Sequence, residues 1–357
     1  MKRLLIVSTV LLAIACAAVA EDIKIEDLKT PPSPAFVLMG IAPSAVERPT
    51  TPRALGASLL SALNDSSNSS APKNFALDVA PYWLRSHPKL SYKQYNQPGF
   101  GQALMQSLSI SLAAKQQTAA TATAPATTLG GVGVRASWLL GKPSEIEDQI
   151  RVAIEEAAVS EALKGGAATS GPLTAAPLIS NPVNTKLIDA FRSARYEGRW
   201  FIEGAAASTA LFTGNDAEQS THQKSGFWLT SSYRMNRTSF DTTTKTVTSQ
   251  PNIDLVGVLR WISDHTGTVR TEPLDIGVRV VWSTAELEIS AEHVERRKSS
   301  NNSARTAAVG EFKLSDTVSL TATFGKNFKD ENPNGNLLAI FGVHFGVGSK
   351  PVVDTSK

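Results

Sequence analysis

From Asn74 to about Val347 the chain alternates apolar and polar residues in one segment after another, each about ten residues long. Successive side chains of an extended strand point to opposite faces, so each segment predicts a strand with one apolar side and one mixed side. In Leu274–Trp282, Leu274, Ile276, Val278, Val280 and Trp282 share one face, against Asp275, Gly277, Arg279 and Val281. In the last segment Leu337, Ala339, Phe341, Val343, Phe345 and Val347 oppose Leu338, Ile340, Gly342, His344 and Gly346.

Eleven such segments stand out: Phe75–Leu84, Leu104–Ala114, Val132–Leu140, Trp200–Phe212, Phe227–Met235, Ile253–Ile262, Leu274–Trp282, Leu287–Val294, Ala304–Leu314, Val318–Phe328 and Leu337–Val347. Turn-forming runs separate most of them, among them Thr213-Gly214-Asn215-Asp216 and Asp264-His265-Thr266-Gly267. Strands of soluble proteins average about five or six residues, whereas a tilted membrane strand needs about 9–11. Beyond the first twenty residues no apolar run reaches the roughly 20 residues of a membrane helix; the longest, Ala35 to Ala42, is followed by Pro43. A closed barrel is then the one way such a chain can cross a bilayer, because it satisfies every backbone group without a long apolar run. A soluble β-sandwich, with its apolar face turned inward, is the competing reading of the same alternation.

These segments resemble the transmembrane strands of Gram-negative outer-membrane β-barrel proteins, over roughly residues 74 to 348. The resemblance implies an all-β, antiparallel transmembrane β-barrel. Strands of single-chain bacterial barrels come in even numbers, so eleven segments predict a twelfth; the expectation is about twelve strands, within ten to fourteen, with Thr242–Gln250 a place to look for the missing one. One feature departs from the pattern: such barrels often end on a strand whose final residue is aromatic, whereas here Phe345 lies twelve residues before the last residue and Gly348 to Lys357 follows as a polar tail. Trp83, Trp138, Trp200, Trp228, Trp261 and Trp282 lie near segment ends, where aromatic girdles mark the two membrane interfaces.

The remaining stretches divide as follows. Residues 1–20 have the form of a cleaved signal peptide: Lys2-Arg3, an apolar run from Leu4 to Val19, and Ala18-Val19-Ala20 before Glu21-Asp22. Cys16, the only cysteine, lies inside this stretch, so no disulfide is expected; a lipoprotein signal processed at Cys16 is the alternative. Residues 21–71, with many Pro, Ser and Asn, read as an irregular periplasmic leader that can pack in the barrel mouth and includes one possible helix, Ala54–Leu63. The barrel is expected over 72–348, interrupted by a helical insertion at 142–197, with a polar tail at 349–357. In the insertion Ser144 and Glu147 form a capping box, Ile146, Ile150 and Ile154 repeat at helical spacing, and Thr185–Arg195 predicts a second short helix.

Composition excludes more than it suggests. Without Lys2 and Arg3 the chain holds 33 basic and 32 acidic residues, which gives nucleic acid nothing to bind to. His87, His222, His265, His293 and His344 are scattered, none with a partner at metal-ligand spacing, so no metal or other cofactor is expected. No catalytic cluster is visible and no serine stands beside His344 in sequence, so an enzyme is not expected. The face predicted to line the lumen carries Asp78, Glu203, Asp254, Asp275, Glu286, Glu288, Glu292 and Glu311, against Arg135, Arg234, Arg260, Arg279, Arg305 and Lys313, with His344 as a further polar lining residue. Rings of charge set ion selectivity, and mixed signs imply that it is weak. The leading expectation is an exported outer-membrane pore or transport barrel for small solutes, in contact with outer-membrane lipid. The alternative is a non-conducting structural or assembly component that engages a periplasmic or outer-membrane protein through the insertion or the leader.

Overall fold

The computed structural model describes residues 33–49, 54–62, 74–85, 87, 98–117, 127–156, 194–213, 220–298, 301–329 and 337–347, apart from single positions within these ranges. The expected signal peptide, the second insertion helix and the polar tail fall outside them.

Twelve strands close into an antiparallel barrel: β1 (Leu55–Ala62), β2 (Asn74–Val79), β3 (Ser109–Gln117), β4 (Thr127–Leu140), β5 (Trp200–Thr213), β6 (Ser220–Arg234), β9 (Asn252–Asp264), β10 (Leu274–Ser283), β11 (Leu287–Arg297), β12 (Ser303–Lys313), β13 (Val318–Lys326) and β14 (Leu337–Val347). Each pairs with the next in this order, and β1 returns to β14 to close the circle. The closing seam runs in register from Leu55↔Val347 to Ala62↔Ile340. Between β6 and β9, β7 (Thr238–Asp241) and β8 (Thr246–Ser249) form a separate two-stranded hairpin. Closure leaves no edge strand open to water or lipid.

Twelve is an even number, so the start of β1 and the end of β14 share one end of the barrel, here the terminal end. Strand direction places the connections 80–108, 141–199 and 235–251 at that end too, together with the short turns 284–286 and 314–317. The insertion therefore emerges on the same side as both ends of the barrel chain.

Burial is inverted relative to a soluble protein. The outer wall exposes Val132 and Val134 on β4, Leu229 on β6, Leu255 on β9, Val278 and Val280 on β10, Ile289 on β11, Phe324 on β13 and Phe341 on β14, with Val278 60% exposed. The inner wall buries Asp78, Arg135, Glu203, Asp254, Arg260, Asp275, Glu288, Glu292 and Arg305. Soluble proteins rarely expose apolar patches beyond a few hundred Å² and rarely bury so many charges. A continuous apolar exterior around a polar interior is the solution for a barrel solvated by hydrocarbon, and the architecture is that of an outer-membrane-type transmembrane β-barrel.

The structure corrects several expectations. The twelfth strand is not at 242–250, which lies in the small hairpin, but at Leu55–Ala62, expected to be helix or leader. Leu-Gly-Ala-Ser-Leu-Leu-Ser-Ala has little β preference, and pairing on both sides, to β2 and β14, overrides local propensity. The barrel thus begins at Leu55 rather than 72. Segment 104–114 divides into helix α2 (Phe100–Ser107) and strand β3. Segment 75–84 ends as strand at Val79 and continues as a 3₁₀ turn, Pro81–Leu84. The expected capping box forms its first half, with Ser144 Oγ accepting the Glu147 N–H at 3.1 Å.

Candidate functional site

The lumen is not empty. Residues 33–49 lie inside the barrel, and Ala35, Phe36, Val37, Leu38, Met39, Ile41, Ala42, Ala45 and Val46 are all buried there. Helix α1 (Pro34–Leu38) opens this plug with proline at its start, where the missing N–H costs nothing. It ends in a Schellman motif: the Gly40 N–H donates to Val37 O at 3.1 Å and the Ile41 N–H to Phe36 O at 3.2 Å. Gly40 has φ +70°, a left-handed conformation that a side chain disfavours, and this turn directs the chain toward β12 and β13.

The wall is shaped to take the plug. A Cβ added at Gly131 would lie 2.8 Å from Ala35 Cβ and from Met39 Cε. One at Gly133 would lie 2.7 Å from Pro34 Cβ, and one at Gly277 2.9 Å from Val46 Cγ2. On the opposite wall the contacts are polar. Glu292 accepts Ser44 Oγ–H at 2.6 Å, the Ala45 N–H at 3.0 Å and the Val46 N–H at 3.2 Å. Arg305 donates to Ala42 O at 3.2 Å and Pro43 O at 2.9 Å, and Thr323 Oγ1 donates to Pro43 O at 2.9 Å. Arg279 donates to Ser44 Oγ at 3.0 Å and Val46 O at 3.2 Å. The plug is thus apolar toward β3–β6, and toward β10–β13 it is tethered by its backbone while Val46 packs on Gly277.

The lumen charges pair with one another. Asp275 takes Arg260 at 2.6 Å and Arg296 at 2.7 Å. Asp254 takes Arg234 at 2.8 Å and, from the plug, Arg48. Arg279 meets Glu288 at 3.1 Å, and Arg305 meets Glu292 at 2.9 Å. Arg296 also lies 3.8 Å from the centroid of the buried Phe328 ring, a cation–π contact. Arg135 Nε donates to Ser109 Oγ at 2.9 Å, while neither carboxylate oxygen of Glu47 or Asp78 has a hydrogen-bond partner.

Of the residues predicted to line the lumen, Asp78, Arg135, Glu203, Arg234, Asp254, Arg260, Asp275, Arg279, Glu288, Glu292, Arg305 and His344 are buried inside the barrel. Glu311 and Lys313 are half-buried toward the terminal end of β12, where Glu311 accepts from Ser319 Oγ at 3.0 Å. Glu286 is a correction: it sits exposed in the β10–β11 turn, outside any strand. His344 has a serine beside it after all, since Ser58 Oγ lies 2.8 Å from its Nδ1 across the seam. Ser58 is fully buried, and the pair ties β1 to β14. Among the described residues no group of His, Cys, Asp or Glu could hold a metal ion.

Of the tryptophans, Trp200, Trp261 and Trp282 are exposed on the outer wall near strand ends, and Trp138 lies near the terminal end of β4, stacked on Phe100 at 6.2 Å. Trp83 belongs to the 3₁₀ turn, its Nε1–H donating to Gln106 O at 2.8 Å. Trp228 is the correction: it is 2% exposed, mid-strand and inside the lumen. β6 begins at Ser220, well before Phe227, so residue 228 is not at a strand end; Phe227 takes the outward place and stacks on Trp261 at 4.9 Å. Arg296 is a lumen residue that the sequence reading does not single out, although it shares strand parity with Glu288 and Glu292, and that parity is signal enough to find it. Arg48 and Ser44 give no such signal, because nothing in their surroundings is periodic.

No family model matches the chain, and no curated protein matches it. Among solved structures, the translocator domain of autotransporter NalP from Neisseria meningitidis is 6% identical, with 82% of this chain and 86% of that one covered at a TM-score of 0.27. The transport unit of the autotransporter AIDA-I from Escherichia coli is 9% identical, with 83% and 89% covered at a TM-score of 0.25. A bacterial polysaccharide outer membrane secretin is 9% identical, with 82% and 97% covered at a TM-score of 0.27. Similarity this distant adds nothing to the barrel reading, which rests on strand pairing and the inverted burial.

Proposed function

We propose that the protein is an outer-membrane transport-type barrel closed by its own residues 33–49, and that it passes small solutes only when this segment is displaced. The plug in the lumen is the observation that carries the reading. It amends the expectation of an open, weakly selective pore, because the lumen charges neutralise one another and the plug instead of facing a water column. Each fully buried Val, Leu, Phe or Met contributes roughly 1.5–3 kcal/mol, so spontaneous opening is rare. The path of the plug permits withdrawal without threading. Pro34 lies against Gly133, whose partner Ser111 is near the terminal end of β3, and Arg48 meets Asp254 and Glu288, also near that end, while Pro43 reaches deeper to Arg305 and Thr323.

Planar-bilayer recording tests the proposal. The full chain is expected to be silent, and a chain lacking 33–49 that still folds is expected to conduct with weak charge preference. A folded, plug-deleted barrel that stays silent refutes it. That outcome favours a non-conducting structural component, whose partner surface would lie at the terminal end with the insertion.

A further inference from the structure

Glu47 lies between two plug residues that the wall holds, Val46 by Glu292 and Arg48 by Asp254. Its own side chain has no such tether. Glu47 is 2% exposed, and both its carboxylate oxygens are closed off from water with no donor to either. Glu292, by contrast, accepts from Ser44 Oγ and from the Ala45 and Val46 N–H groups. An ionised carboxylate in a dry site without donors is so unfavourable that such a group takes up a proton instead.

The charged groups that face Glu47 are Asp78 on β2, Arg135 on β4, Glu203 on β5, Arg260 on β9 and Arg279 on β10. The arginines are committed elsewhere. Arg260 donates from Nε and Nη2 to Asp275 at 3.0 and 2.6 Å, and from Nη1 to Ala45 O at 3.3 Å. Arg279 donates from Nε to Ser290 Oγ at 2.9 Å, from Nη1 to Ser44 Oγ at 3.0 Å and from Nη2 to Glu288 at 3.1 Å. Arg135 gives its Nε–H to Ser109 Oγ at 2.9 Å. Glu47 belongs to the plug and not to a membrane-spanning strand. Burial, and after it the facing Glu203, push its carboxyl well above the ordinary range, and Arg135 and Arg260 do not offset them.

We infer that the plug is a proton-controlled stopper, which seats with Glu47 protonated and leaves the lumen when that proton is lost. The inference rests on the reading that the plug is displaced, and adds what displaces it. The proton is taken from water as the plug seats and returns to water on release. With Val46 and Arg48 pinned on either side, the Glu47 carboxylate reaches water only by drawing the plug out. A carboxyl that titrates higher when docked stabilises docking fully below the ordinary glutamate value of about 4.3, and that stabilisation is lost as pH rises through the raised value. Between the two values docking weakens about tenfold per pH unit.

Hydrogen exchange at the Ala45 and Val46 amides of the full folded chain tests this. Exchange is expressed as protection factors, so that its intrinsic pH dependence cancels, and folding is checked by heat-dependent gel mobility. From about pH 5 upward protection is expected to fall about tenfold per pH unit until Glu47 is ionised, while amides of the β10–β12 ladder keep theirs. Glu47→Gln has no proton to lose and is expected to give a flat profile. Glu47→Leu is expected to do the same, and serves if the glutamine variant does not fold. Wild-type protection that is unchanged by pH overturns the inference, as does a slope that persists in the folded variants. Bilayer recording separates this inference from the pore reading. If the plug-deleted barrel conducts while wild-type protection is flat, the pore stands and the proton control falls. If the slope is present and lost in Glu47→Gln while the plug-deleted barrel stays silent, the proton control stands and the pore falls.

Discussion

Glu292→Ala removes the latch on the plug. Its carboxylate accepts Ser44 Oγ–H, two plug backbone N–H groups, at 3.0 and 3.2 Å, and Arg305 Nε–H at 2.9 Å. Truncation leaves Arg305 buried without its counter-charge, a loss of about 3–5 kcal/mol in comparable pairs. It also orphans the Ala45 and Val46 N–H groups at about 1–3 kcal/mol each. These costs are not additive, since water admitted by the missing carboxylate recovers part of them, and Arg305 keeps its contacts to Ala42 O and Pro43 O. A net figure of about 4 kcal/mol on plug docking raises the undocked population roughly 10³-fold, at about 1.4 kcal/mol per decade. Hydrogen exchange at the Ala45 and Val46 amides reads this directly: both should exchange about 10²–10³ times faster in the variant, while amides of the β10–β12 ladder keep their protection. Bilayer recordings should show openings that the wild type lacks. If the two plug amides exchange as slowly as in the wild type while the barrel is folded, Glu292 does not hold the plug, and the reasoning from its contacts is wrong.

Val278→Arg places a cation on the lipid face and should cost about 2–4 kcal/mol of folding stability in bilayers, whereas Val269→Arg, in an exposed loop, should be close to neutral; equal urea-unfolding midpoints would show that Val278 does not face hydrocarbon. Gly277→Ala should destabilise by about 1–3 kcal/mol, because its Cβ would lie 2.8 Å from Val294 Cγ2 and 2.9 Å from both Val258 Cγ1 and Val46 Cγ2, while Gly310→Ala, with nothing within 4 Å, should not; the same unfolding titration compares them. Asp241 is held ionised by the Thr244 hydroxyl and by the Thr243 and Thr244 N–H groups, which lower its pKa. Its stabilisation of the β7–β8 turn is therefore present above the ordinary carboxylate value of about 3.9 and lost as pH falls through the depressed one, so the Thr243 and Thr244 amide resonances should move only at strongly acid pH and should not titrate in Asp241→Asn.

Which residues of β9 to β14 face inward is legible in the alternation of the sequence, because strand parity is a local property. Once Asp275 and Arg279 are on one face, Val278 and Val280 must be on the other, and the length of the segments implies a bilayer. The same logic fails where a strand limit is misplaced by a few residues, as in β6, where Trp228 turns inward while its neighbour Phe227 takes the lipid face. Partner choice within the lumen is out of reach of parity. Asp275 could meet any basic residue on the inner wall, and only the register of β9, β10 and β11 brings Arg260 and Arg296 to it.

Alternation and segment length by themselves determined that this chain forms long strands with one apolar and one charged face; the resemblance to outer-membrane barrels turned eleven such segments into an expected barrel of about twelve strands. The tertiary structure alone decided that Leu55–Ala62 is the twelfth strand, for its residues have no β preference until β2 and β14 offer hydrogen bonds on both sides. It alone decided that the lumen is filled. The plug is short and aperiodic, and its apolar run Ala35–Ala42 is as compatible with a leader or a buried turn. What places it inside is the space left by glycines on strands far away in the chain, and acceptors and donors such as Glu292 and Arg305, more than two hundred residues from the backbone groups they satisfy.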